Sequence, residues 1–145
     1  RDPEMSRGLG DVYKRQIRDI TLEVQIQPDL QHRGDISWMT EAVSNILKNC
    51  MEHTPSGGHI RIVTKDNPLY LLIKITDSGS GFTKQDLPHI FERFYRGQNA
   101  DTDSVGIGLA LAKRIIIAQN GTIRAYNHKK DGGAVFEIRM YKGAV

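Results

Sequence analysis

The run LYLLIKIT, Leu69 to Thr76, passes directly into DSGSGF, Asp77 to Phe82. A stretch this apolar reads as a strand buried enough to be central in a sheet. It nevertheless ends in a carboxylate. Burying Asp77 is expensive unless hydrogen-bond donors meet it. Gly79 and Gly81 allow positive φ and let either a flat ligand or another backbone segment approach closely. Taken alone, Asp-x-Gly-x-Gly is better explained by a plain strand-to-loop turn.

The surrounding elements supply the partners that such a strand needs. Leu22, Val24 and Ile26 alternate with Glu23 and Gln25, a half-exposed strand that Pro28 helps to stop. Residues 35–54 carry a helical period, with Asp35 or Ser37 as N-cap and the breaker run TPSGG at its end. HIRIVTK forms the strand before LYLLIKIT, joined to it through DNP. A short helical region is expected over Lys84 to Phe94. The polar stretch GQNADTDSV then leads to a helix that starts near Gly106 and ends at Asn120-Gly121. TIRAYN and AVFEIRMY, separated by HKKDGG, read as a hairpin. The fold class is α/β: a two-layer sandwich with helices on one face of a mixed sheet and the other face partly solvated.

Residues 1–16 show neither apolar period, and SRGLGDVYKRQ resembles translated vector or adapter sequence. One domain over residues 17–145 is the expected organisation. The charged fraction of 26% and hydrophobic fraction of 39% are those of a globular chain. The net charge is +3, and in residues 17–145 only Lys113-Arg114 and Lys129-Lys130 are adjacent basic pairs. That scatter argues against nucleic acid as a partner. No apolar run reaches membrane-spanning length, so no membrane contact by this segment is expected. The single cysteine, Cys50, lies in a helical apolar pattern, which favours a packing role and a cytoplasmic setting.

Projected at 100° per residue, Trp38, Met39, Ala42, Val43, Ile46, Leu47 and Cys50 fill one arc of the first helix. Asn49 falls within it, and Asn45, Asn49 and His53 form an i, i+4, i+8 line along the edge of the core. An amide in that position either satisfies a nearby backbone group or faces a metal or polar ligand across a cavity. For His53 taken alone, a helix-end residue covering the core edge is the better reading. In VGIGLALAK two glycines open a helix, whose free N–H groups and dipole suit phosphate, although tight helix packing also explains them. The Rossmann pattern fails because Leu111 replaces the third glycine and no strand precedes Gly106; no P-loop sequence is present.

In this order the motifs resemble the ATP-binding catalytic domain of sensor histidine kinases, in the superfamily that includes gyrase, heat-shock and MutL-type ATPases. NILKNCMEHTPSGG resembles the N box, DSGSGF the first glycine box, FERFYRG the F box and VGIGLALAK the second glycine box. The resemblance covers Leu22 to Tyr141 and implies the Bergerat-type ATP-binding fold, with ATP and Mg²⁺ as cofactors. It implies that Asn49 ligates Mg²⁺, that Asp77 accepts the adenine amino group, and that Asn45, His53, Gly79, Gly81 and Phe82 line the nucleotide. Gly106, Ile107, Gly108 and Leu109 would meet the phosphates, residues 97–105 would form a lid, and Arg96 would offset γ-phosphate charge. Phe91 and Phe94 would anchor the base of that lid.

Two departures shape the expected activity. Glu52 stands where the family often has Lys or Arg three residues after the metal-binding Asn, leaving Lys48 or Lys113 as substitutes. Asn45 stands where hydrolytic members carry a water-activating glutamate, and an amide cannot act as that base. The resemblance therefore implies a protein-histidine kinase that transfers the γ-phosphate to a histidine on a separate dimerisation domain of the same parent protein, and onward to a response regulator. Its parent would be anchored at the inner membrane. None of His32, His53, His59, His89 or His128 is followed by an acidic residue, so an acceptor site is expected outside this chain, which alone should not autophosphorylate. The alternatives are an anti-sigma-type serine kinase or an ATP-binding module without catalysis.

Overall fold

A computed structural model describes residues 19–26, 36–95 and 108–143. The elements are β1 (Thr21–Gln25), α1 (Ile36–His53), β2 (His59–Asp66), β3 (Tyr70–Asp77), a 3₁₀ turn (Leu87–His89), α2 (Gly108–Ala118), β4 (Gly121–Asn127) and β5 (Ala134–Tyr141). The strands form one sheet in the order β1-β2-β3-β5-β4. β1 runs parallel to β2, and the other three pairings are antiparallel. The apolar run is the middle strand of a mixed sheet, as its composition requires.

Burial along the strands follows the two-residue period. Leu71, Ile73, Ile75 and Asp77 of β3 are buried, while Tyr70, Leu72, Lys74 and Thr76 are only partly covered. Ile60 and Ile62 of β2 and Phe136, Ile138 and Met140 of β5 extend the apolar face. α1 covers it with Met39, Val43, Ile46, Leu47 and Cys50, and α2 with Ala112, Ile115 and Ile116. The opposite face is polar. Arg61 pairs with Glu23 at 3.4 Å, Arg124 with Glu137 at 2.8 Å, and the Arg139 guanidinium lies 5.0 Å from the Tyr70 ring centre. The sheet is therefore a two-layer structure with one solvated side.

Local chemistry sets the element ends. Thr54 Oγ1 donates to the Cys50 carbonyl at 2.6 Å, satisfying an acceptor in the last turn of α1, and Pro55 follows. Asn120 takes φ +63° after α2, a conformation that Asn tolerates. Ser37 lies inside α1, whereas residue 35, the other expected cap, lies outside the described residues.

Three expectations are corrected. Trp38 is 53% exposed. A helical projection fixes direction around the axis but not position along it; Trp38 lies in the first turn of α1, and burial begins at Met39. The helical region expected over 84–94 shrinks to the 3₁₀ turn Leu87–His89: after a single four-residue bond from Leu87 N–H to Thr83 O its hydrogen bonds span three residues, such as Glu92 N–H to His89 O, and Pro88 lacks a donor. Phe94 is 62% exposed with φ +66°, and the Arg93 guanidinium lies over its ring, 4.9 Å from the centre. Phe91 does reach the core, edge-on to Phe136 at 6.3 Å. Beside it, Tyr95 rather than Phe94 secures the segment, donating its hydroxyl to Asp86 at 2.5 Å.

Candidate functional site

The strand carries Asp77 to the edge of the core, where it is 7% exposed. Its Oδ1 accepts from the Gly79 amide at 3.0 Å and from the Ala134 amide at 3.1 Å. Two backbone donors at one oxygen offset the cost of burying the carboxylate and fix its orientation. The side chain is held by its own turn and by the first residue of β5.

Beneath it lies Cys50, fully buried. Burial pushes the thiol well above its ordinary pKa, and the adjacent Asp77 adds to the shift by its charge and as a hydrogen-bond acceptor. A protonated, enclosed thiol is a poor nucleophile. Alkylation by iodoacetamide at neutral pH should be at least about 100-fold slower in the native chain than in urea, measured by mass spectrometry. Equal rates would contradict this burial.

The two glycines act mainly on the protein itself. A Cβ at Gly79 would overlap the His53 carbonyl oxygen, and one at Gly81 would overlap the Gly132 carbonyl oxygen and lie 2.6 Å from Asn127 Oδ1. Gly81 also has φ +78°. Of the two approaches that the sequence left open, the backbone segment is the one these positions accommodate. α1 and the β4–β5 turn press on the loop from either side.

Asn45, Asn49 and His53 are all half-buried on α1. The His53 ring lies 6.3 Å from the Phe82 ring, beside the glycine loop, and Phe82 in turn packs edge-on to Phe136 at 5.8 Å. At the other end, Asn45 Cβ is 3.9 Å from the position a Cβ would take on Gly108, the first residue of α2. The line of three therefore runs from the N-terminus of one helix to the glycine loop, about 12 Å by helical rise. The first turn of α2, with Gly108 and Leu109 half-buried, presents its positive end there. Arg96, residues 97–105, Gly106 and Ile107 lie outside the described residues. Glu52 and Lys48 are exposed, and Lys113 Nζ sits 5.4 Å from the Phe91 ring centre.

The donor set suits a particular kind of metal. Among the described residues no group of three His, Cys, Asp or Glu side chains converges on a metal position. Neutral amide oxygens on a half-buried helix face fit Mg²⁺, which keeps waters and takes further ligands from phosphate rather than needing a protein cage.

One residue escaped the sequence reading. Asn127, at the end of β4, accepts from the Phe82 amide at 2.8 Å and donates to the Phe82 carbonyl at 2.7 Å. The only available signal was an Asn just before the hairpin turn, where turn chemistry already explains it.

A family profile described as Histidine kinase-, DNA gyrase B-, and HSP90-like ATPase matches residues 34–143. The chain belongs to this ATPase family. Among curated ATPase-family relatives, the sensor protein SphS of Synechococcus elongatus is 32% identical over 117 residues, covering 74% of this chain and 28% of SphS. The signal transduction histidine-protein kinase/phosphatase MprB of Mycolicibacterium paratuberculosis is 32% identical over 122 residues, covering 83% of this chain and 23% of MprB. The chain thus spans about a quarter of each of these relatives. A solved structure of a mycobacterial sensor histidine kinase MprB superposes with a TM-score of 0.84 at 30% identity, covering 94% of this chain and 92% of that one. The catalytic domain of histidine kinase ThkA gives a TM-score of 0.82 at 24% identity, a likeness of fold. Within the ATPase family, then, this is the ATP-binding catalytic domain of the sensor histidine kinase type, and the serine-kinase alternative is not favoured.

Proposed function

We propose that this domain binds Mg-ATP between α1, the glycine loop and the start of α2, and transfers the γ-phosphoryl group to a histidine on a separate dimerisation domain. Asp77 reads the adenine amino group. Its Oδ1 is occupied by two backbone amides, so the carboxylate cannot turn away to suit a base that offers a carbonyl instead. His53 and Phe82 flank the nucleotide, Gly79 and Gly81 shape the loop beside it, and Asn45 and Asn49 face the triphosphate. Asn49 supplies an oxygen to Mg²⁺, which would neutralise charge on the phosphates. The amides of Gly106, Ile107, Gly108 and Leu109 cradle the phosphates, and Arg96 stabilises charge at the γ position.

The observation that carries transfer over hydrolysis is Asn45, half-buried beside Gly108. A hydrolase needs a base at that place to take a proton from water, and an amide has no such capacity. The nitrogen of an imidazole is itself a nucleophile: it bonds to the γ-phosphorus as the bond to the bridging oxygen breaks and ADP leaves. A response regulator is the indirect partner of such a kinase, and a cytoplasmic location the corresponding compartment. Among the described residues no helix is long and apolar enough to cross a membrane, so the anchor of the parent protein is proposed to lie in another segment.

The test mixes the domain, Mg-[γ-³²P]ATP and the cognate dimerisation domain. Acid-labile, base-stable label on the acceptor is expected, with little phosphate release from the catalytic domain alone. Rapid release without the acceptor would overturn the reading in favour of an ATPase. Tight ATP binding with no transfer would leave a silent nucleotide-binding module.

A further inference from the structure

The closing rung of the β4–β5 hairpin pairs Asn127 with Ala134. These two residues hold opposite ends of the glycine loop. Ala134 donates its amide to Asp77 Oδ1 at 3.1 Å, where the loop begins. Asn127 takes both backbone groups of Phe82, where the motif ends, at 2.8 and 2.7 Å. Between them, the Gly132 carbonyl fills the space beside Gly81, and the Asp77 carbonyl fills the space beside Gly133.

We infer that Asn127 is a positioning residue for adenine recognition: with Ala134 it forms a clip that fixes the loop from Asp77 to Phe82 in its binding conformation. A side-chain amide suits this task because it offers one acceptor and one donor in a plane, matching the N–H and C=O of a single residue. The bonds span 45 positions of sequence, so they tie the loop to the hairpin rather than to its own turn. Phe82 is also the residue whose ring stands between His53 and Phe136. Holding its backbone therefore sets both the ring wall and, through Gly79, the carboxylate. Without the clip the binding conformation becomes one of several, and apparent affinity falls by the fraction that remains competent.

The inference rests on the adenine-reading role proposed for Asp77, and the experiment keeps the two separable. Kd for ATP would be measured by calorimetry on the wild type, Asn127→Ala, Asn127→Asp and Asp77→Asn, at a temperature where all are folded by circular dichroism. Amide exchange of Phe82 and Ile138 would be followed in parallel. Loss of two hydrogen bonds predicts roughly tenfold weaker ATP binding by Asn127→Ala. Phe82 exchange should accelerate while Ile138, in the core of β5, keeps its protection. Asn127→Asp preserves size and the acceptor for Phe82 N–H, so an intermediate loss is expected; it decides the matter alone if Asn127→Ala does not fold. Wild-type affinity in both Asn127 variants would overturn the clip, and so would equal acceleration at Phe82 and Ile138, the mark of general destabilisation. Undiminished ATP binding by Asp77→Asn would instead refute the adenine assignment, whatever Asn127 does.

Discussion

Asp77→Asn should lower ATP affinity by at least about 100-fold while leaving the fold intact. The replacement has the same shape, and its carbonyl oxygen can still accept from the Gly79 and Ala134 amides. What changes is the other end of the group. The second carboxylate oxygen, an acceptor, becomes an NH₂ donor, which opposes the adenine amino group and removes a charge-assisted bond. Losing such a bond and leaving two donors facing each other costs about 3 kcal/mol, equivalent to a factor of roughly 100. The same NH₂ can donate to the carbonyl of guanine, so the preference for ATP over GTP should shrink together with ATP affinity. Calorimetry with both nucleotides, with and without Mg²⁺, would show it. Unaltered ATP affinity, or loss of ATP binding caused by unfolding, would count against the assignment.

Gly81→Ala should destabilise the domain by roughly 3 kcal/mol. Two costs add. Alanine at φ +78° occupies the left-handed region at about 1–2 kcal/mol. Its Cβ would also collide with the Gly132 carbonyl and lie 2.6 Å from Asn127 Oδ1, and neither the turn nor the clipped amide can move without breaking other bonds. Gly132, with open space where its own Cβ would project, provides the comparison. Gly132→Ala, at the same φ of +78°, carries the strain without the collision and should cost clearly less. Urea melts of the two variants would separate these contributions. Equal losses would show that backbone conformation, rather than close packing of loop on hairpin, sets the requirement for glycine.

Much of this architecture was legible because it follows from periodicity. The alternation in HIRIVTK, the continuous apolar character of LYLLIKIT and the breakers at TPSGG and Asn120-Gly121 locate β2, β3, α1 and α2 to within a few residues of the described elements. The hairpin was equally plain from HKKDGG. Positions that depend on where an element lies against its neighbours were not legible. Trp38 matches the apolar arc yet begins the helix before the cover starts, and Phe94 shares a motif with Phe91 but points out of the core. Asp77, Asn49 and Gly79 stood out as polar or minimal residues beside buried ones. Asn127 did not, since its partner lies 45 residues away and nothing local marks the pairing. The purpose of the glycines was likewise ambiguous until the carbonyls of His53 and Gly132 showed what occupies their space.

The strand order places β5, the last strand in sequence, between β3 and β4. During synthesis on a ribosome the place between β3 and β4 is therefore filled last. Until β5 emerges, β3 has a bare edge toward the position β5 will take, and Asp77 lacks the amide of Ala134. A nascent or prematurely stopped chain ending at Asn127 would carry every glycine of the loop but only one of the two amides that hold its carboxylate. On the role proposed for Asp77, competence to bind nucleotide would arrive together with completion of the sheet, and a half-made domain would expose the β3 edge before it could bind.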